Sequence, residues 1–216
     1  MAMKRFPLKS ANSYSSKYRP GEKLYATLEL NQVAFPKTGM VVSQTPLGEE
    51  FTLDAPCENG MWVVADKAAG VIASPAAATD KPIGIVYTTE KEYDIFHYGL
   101  QTFGRKIAGD YPRVGILGVG DTVTTNCLQY DDSVFQVVTT TGSEKTSDEV
   151  LDDYLSALDD TNKAYVVIST KSGAKGGVPE IVKTLPQNYA GIYGRIVKYY
   201  TVPNGEKGVK YQIISL

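Results

Sequence analysis

A chain of 216 residues is long enough for one sizeable core, and its 43% hydrophobic and 21% charged residues are a globular balance that excludes a disordered class. A formal net charge of -2 excludes the global basic footprint that phosphate neutralisation requires, so no nucleic-acid partner is expected. No apolar run approaches the roughly 18 residues of a membrane-spanning helix, and a single histidine, His97, excludes multi-histidine metal sites.

Residues 1–23 read as an extended N-terminal arm. Lys4, Arg5, Lys9, Lys17, Arg19 and Lys23 stand against Glu22 alone. No apolar stretch follows these cations, so no secretory signal peptide is expected. Pro7, Pro20 and Gly21 break regular structure, and Ser10, Asn12, Ser13, Ser15 and Ser16 favour local turns. Tyrosine and arginine are enriched at interface hot spots, which makes Arg5, Tyr14, Tyr18 and Arg19 candidate anchors on a neighbour. The alternative is a free terminus.

Residues 24–133, with 178–216, read as a β body. Leu24, Ala26, Leu28 and Leu30 alternate with period 2 and predict a strand with one buried face. Asn59-Gly60 predicts a turn into a strand at Met61–Ala65, followed by a turn at Asp66–Gly70 and a return strand from Val71. Ile83–Thr89, Arg113–Val119 and Asp121–Thr125 are further short β-type runs punctuated by glycine. Short runs so spaced predict a small barrel or sandwich rather than a parallel sheet.

Glu90 to Tyr111 interrupts this pattern and reads as a long excursion. Tyr93, Phe96, Tyr98, Phe103 and Arg105 are its candidate interface residues, because interleaved aromatics and arginine suit a protein contact. The competing reading packs these rings over the end of the sheet.

Residues 134–177 read as an inserted α/β unit. Val134–Thr141 is a strand candidate, and Thr146 and Glu149 have capping-box spacing. Val150, Leu151, Tyr154, Leu155 and Leu158 then recur at helical spacing, so one amphipathic helix is expected, ended by Asn162. Tyr165–Thr170 reads as a buried strand, and Gly173–Gly177 as a hinge back to the body. Gly191–Tyr200 and Val209–Ile214, around the Pro203-Asn204-Gly205 turn, predict a closing hairpin.

The candidate chemical motifs fail on spacing. Gly115-Ile116-Leu117-Gly118-Val119-Gly120 is GxxGxG rather than GxGxxG, and a strand pattern follows it where a phosphate loop needs a helix. Ser172–Gly177 lacks the Gly-Lys-Ser/Thr ending of a P-loop and reads as a flexible connector. No Gly-x-Ser-x-Gly elbow supports a triad around His97. Asp152-Asp153 and Asp159-Asp160 are adjacent and point apart on a solvated acidic face. Cys57 and Cys127 lack CxxC context and read as isolated buried thiols, with a single disulfide as the alternative. No catalytic residue, cofactor or metal is therefore expected.

Glu58–Asp66, Lys81–Val86 and Gly115–Val123 together resemble the small β modules of tailed-bacteriophage capsid decoration (cement) proteins: a turn, an apolar strand, a small-residue loop, a Pro-x-Gly-Ile-Val strand, then Val-Gly-Asp-x-Val. The resemblance covers about residues 58–125. The acidic unit and the 90–111 excursion depart from the simplest modules, which leaves decoration, head completion and tail component all open. The resemblance implies a non-enzymatic virion structural protein, assembled in the host cytoplasm. Its partners would be the major capsid protein or other virion subunits, and it would form a homo-oligomer, a trimer by analogy. Two other classes stay open. A carbohydrate- or receptor-binding module would use Trp62, Tyr93, Tyr98 and Tyr111 as exposed rings. A hydrolase would gather His97, Arg105, Asp110 or Asp121 in a cleft.

Overall fold

The computed structural model describes residues 2–6, 32–34, 39–65, 67–87, 105–136, 145–201 and 207–216. The strands in chain order are β1 (Met3–Arg5), β2 (Gln32–Ala34), β3 (Val41–Val42), β4 (Cys57–Glu58), β5 (Trp62–Val64), β6 (Ile83–Val86), β7 (Arg105–Lys106), β8 (Val114–Ile116), β9 (Thr122–Thr125), β10 (Gln129–Asp131), β11 (Tyr165–Val167), β12 (Glu180–Val182), β13 (Tyr193–Thr201) and β14 (Lys207–Ser215). A single α-helix, α1, spans Ser147–Ser156 among the described residues. The fold is mainly β, as the glycine-punctuated short runs predict.

An eight-stranded sheet has the order β1-β10-β12-β11-β13-β14-β9-β2, a four-stranded sheet the order β3-β8-β6-β5, and β4 pairs with β7. The two larger sheets share a core in a sandwich-like body. The period-2 rule assigns the faces of the smaller sheet. Trp62, Ile83 and Ile85 turn toward Val123, Ile196, Tyr211 and Ile213 of the larger sheet. Val63, Val86 and Val114 turn the other way, onto Leu47, Phe51 and Ile72. The Trp62 indole N–H donates to the Tyr211 hydroxyl at 2.9 Å, and the rings meet edge to face at 5.9 Å. Trp62 is thus buried, not the exposed ring that a sugar-binding reading needs. Its bulk fills the space between the sheets, and its one donor is satisfied inside.

The helix forms as its pattern predicts. The Thr146 hydroxyl accepts from the Glu149 amide, and the Glu149 carboxylate accepts from the Thr146 amide at 2.8 Å, which closes the capping box. Leu151 and Leu155 are buried in the main core, with Val150, Tyr154 and Leu158 packed beside them. α1 closes at Ser156, and Asn162 acts from beyond its end, donating to the carbonyls of Tyr154 and Ala157. β11 follows and lies between β12 and β13, so residues of the expected inserted unit share the sheet and core of the flanking segments.

Two expectations are corrected at element level. Asp132–Phe135 is a 3-10 turn, not the start of a strand. The Asp131 carboxylate accepts from the Ser133 amide and hydroxyl, at 3.0 and 2.6 Å, and Phe135 is drawn into the core edge-on to Tyr130 and Tyr154. The arm expected over residues 1–23 is tied to the body at Met3–Phe6: β1 is laddered onto β10, and Phe6 is buried. The strand expected at 24–30 and the turn at 203–205 lie outside the described residues.

Candidate functional site

The larger sheet curls back on itself. β9 and β10 are separated by Asn126–Leu128 alone, yet four strands lie between them in the sheet. Four residues reach at most about 14 Å, so the two edges of the sheet come together at this bend. The Leu128 amide donates to the Asn126 carbonyl at 2.9 Å, which tightens it. β1 runs along β10 and β2 along β9: the Phe6 amide donates to the Leu128 carbonyl at 2.8 Å, and Gln32 stands opposite Thr124. Both roots of segment 7–31 therefore sit beside one bend.

The roots of segment 88–104 arrive at the same place. Arg105 pairs in register with Glu58, and the Gly60 amide donates to the Val86 carbonyl at 2.7 Å. The turn between these contacts requires glycine. Gly60 has φ +93°, and a Cβ there would lie 2.6 Å from both Cys127 Cβ and Thr125 Oγ1. The Glu58–Gly60 turn is thus pressed onto the Thr125–Leu128 bend, and four chain roots surround it.

A buried ion cluster holds this pole together. Glu58 has no exposed surface, and its carboxylate takes both Arg5 Nη atoms in a fork, at 2.8 and 2.9 Å, and the Lys175 ammonium. Burial alone would raise the Glu58 pKa; the Arg5 and Lys175 charges and hydrogen bonds outweigh it and hold the carboxyl at about 2. Cys57 and Cys127 lie against this cluster as free, fully buried thiols, with Arg5 Nη2 3.9 Å from Cys127 Sγ. Burial pushes Cys57 well above the ordinary thiol range and Cys127 up to about 12, in the second case partly opposed by Arg5. Neither thiol has the depressed pKa or exposure of a nucleophile.

The Ser172–Gly177 run, expected as a flexible connector, is pinned at several points together with the preceding Lys171. Lys171 bridges two buried carboxylates, Asp131 at 3.0 Å and Glu180 at 2.5 Å, while Lys175 reaches Glu58. The Gln129 side chain donates to the carbonyls of Lys175 and Val178 and accepts from the Lys175 amide. The Trp62 amide donates to the Gly177 carbonyl at 2.7 Å. Gly177, at φ +79°, approaches so closely that a Cβ would lie 2.8 Å from the Trp62 carbonyl oxygen. The glycines that read as a hinge serve close packing instead.

Of the candidate interface residues, Arg5 is turned inward onto Glu58 and the backbone of Arg105 pairs beside it. Tyr14, Tyr18, Arg19, Tyr93, Phe96, Tyr98 and Phe103 lie outside the described residues, as does His97, on the two segments that leave this pole. Tyr111 is 62% exposed. The carboxylates proposed for a cleft serve turns: Asp110 accepts from the Ile107 amide at 2.9 Å, and buried Asp121 from the Gly118 amide at 2.7 Å. The acidic residues of α1 and the following loop are each engaged: Asp153 by Lys145, Asp152 by Lys207 and Tyr199, Asp160 by Arg195, and Asp159 by the amides of Thr161 and Asn162. Among the described residues no group of three or more His, Cys, Asp or Glu is placed to hold a metal. Glu58, Gln129, Lys171 and Lys175 carry the site's architecture, yet no sequence signal marks them, because Glu58 lies 53 positions from Arg5 and 117 from Lys175.

No family model matches the chain, and no curated protein or solved structure is similar to it at a significant level.

Proposed function

We propose that this chain is a non-enzymatic virion structural protein that decorates or stabilises a phage capsid, and that the pole around Glu58 faces its partner. One observation carries the reading: segments 7–31 and 88–104, which hold seven of the nine candidate interface residues, root on one pole of the body. Two chain segments delivered to the same side can engage one partner together, so the second contact is made at the local concentration that the first provides. The base beneath them is rigid. A forked Arg5–Glu58 pair, Lys175 and the clamped 171–177 loop fix the roots, so little ordering entropy is lost in the body when the segments bind.

The segments differ in charge. Lys9, Lys17, Arg19 and Lys23 stand against Glu22 and Glu29 in the first; Glu90, Glu92 and Asp94 stand against Lys91 in the second. A partner surface with both signs is therefore expected, with salt-sensitive association. The test is co-sedimentation with expanded capsids built from the cognate major capsid protein. The intact chain should pellet at a fixed copy number per capsid, and a chain lacking residues 8–23 should bind at least tenfold more weakly. An intact chain that stays in the supernatant at micromolar capsid subunit would refute the reading.

A further inference from the structure

We propose that the open edge of β13 is a strand-addition site that takes an extended acidic peptide from a partner protein. β14 pairs with β13 along its whole length, from Tyr193–Ser215 to Thr201–Lys207. The other side of β13 is covered only at its start. β11 pairs with Tyr193, Gly194 and Arg195, and the Ile196 amide donates to the Ala164 carbonyl at 2.9 Å. There the neighbouring chain turns away: the Lys163 carbonyl accepts from the Tyr154 hydroxyl of α1 at 2.6 Å. Residues 197–201 therefore have no strand on that side among the described residues. They present roughly 17 Å of edge, a length that suits a short added strand.

This edge borders a groove of about 410 Å³ shared with the end of α1. Leu155 and Leu158 line it with Tyr199 and Tyr200, and its only charged lining residues are Lys198 and Lys207. Lys207 is held by Asp152 at 2.9 Å. Lys198 is exposed and stands directly opposite Lys210 across the hairpin. Like charges so opposed are unfavourable, and an added strand that sets a carboxylate beside Lys198 relieves them. The Tyr200 hydroxyl is buried without a hydrogen-bond partner, and Lys198 Nζ lies over its ring at 6.0 Å. An orphaned buried hydroxyl costs stability until a polar group reaches it. A second copy is a poorer occupant, because it would bring another Lys198 and Lys207 to the same groove, and edge lysines guard against like chains. An acidic strand gains from the same charges. The inference does not draw on the capsid reading, since it uses neither segment 7–31 nor 88–104.

The test titrates the full-length chain into a fluorescein-labelled peptide, Glu-Thr-Val-Glu-Val-Thr-Glu, and follows anisotropy and hydrogen exchange. Saturable binding with a Kd below about 1 mM is expected, with slowed exchange at residues 197–201. Three changes should each weaken binding about fivefold or more: lysine for every glutamate of the peptide, N-methylation of its central residues, which removes the strand-pairing donors, and Lys198→Glu in the protein. Lys198 is exposed, so its reversal leaves the fold intact. No saturable binding up to about 1 mM chain, or binding unchanged by N-methylation or by Lys198→Glu, overturns the inference. A chain that dimerises with protection at residues 197–201 and excludes the peptide overturns it too, because a second copy is then the occupant.

Discussion

Replacing Glu58 by Gln removes the carboxylate that joins β1, β4 and the 171–177 loop. Its folded pKa of about 2 lies below the ordinary 4.5. A depressed carboxylate contributes stability above its unfolded pKa and loses it as pH falls toward the folded value. At 1.36 kcal/mol per pKa unit, the charged form of Glu58 is worth about 3 kcal/mol at pH 7 and about 1 kcal/mol at pH 3. Glu58→Gln also leaves Arg5 and Lys175 facing a neutral amide, a loss in the 3–5 kcal/mol range for broken buried pairs. Urea denaturation of both proteins at pH 7 and pH 3 measures the difference and cancels the other carboxylates. The gap should be about 3 kcal/mol or more at pH 7 and shrink by about 2 kcal/mol at pH 3. A gap that is the same at both pH values, or one below about 0.5 kcal/mol at pH 7, would refute the claim that this charge cluster holds the pole.

Deletion of 1–23 should cost at least about 4 kcal/mol, because it removes buried Phe6 and the Arg5 fork; equal midpoints in urea would contradict this. Lys171→Met leaves Asp131 and Glu180 without their shared ammonium, and should destabilise by about 3 kcal/mol and speed proteolysis within 171–177. Gly60→Ala should cost at least about 3 kcal/mol, through both φ and the Cys127 clash, whereas Gly39→Ala, with open space around its Cβ, should cost about 1 kcal/mol in thermal unfolding. Cys57 and Cys127 should both resist Ellman's reagent in the native state and both react once the chain is unfolded.

The parts of the fold legible in the sequence are those written locally. The capping box at Thr146 and Glu149, the helical spacing from Val150 to Leu158 and the paired runs of β13 and β14 each need only neighbouring residues, and each forms. Trp62 and Gly173–Gly177 were misleading for a common reason. A tryptophan reads as a surface ring, or glycines as a hinge, until the partners from distant chain are present: Tyr211 for Trp62, and Gln129 and Glu58 for the loop. Arg5 looked like an anchor for a neighbour because a cation near the N-terminus is normally solvated. Its acceptor, Glu58, is identifiable only once β1 is laid on β10 and the Glu58–Gly60 turn is pressed onto the neighbouring bend. The clustering of both candidate segments on one pole was likewise invisible, because it follows from the curl that brings β9 and β10 together.

Hydrogen exchange on the chain, free and bound to expanded capsids, tests the central claim most directly. The account predicts new protection concentrated in residues 7–31 and 88–104, with the Lys171–Gly177 loop protected equally in both states. Protection confined to α1 and the β13–β14 hairpin, with both segments exchanging as fast as in the free chain, would contradict it.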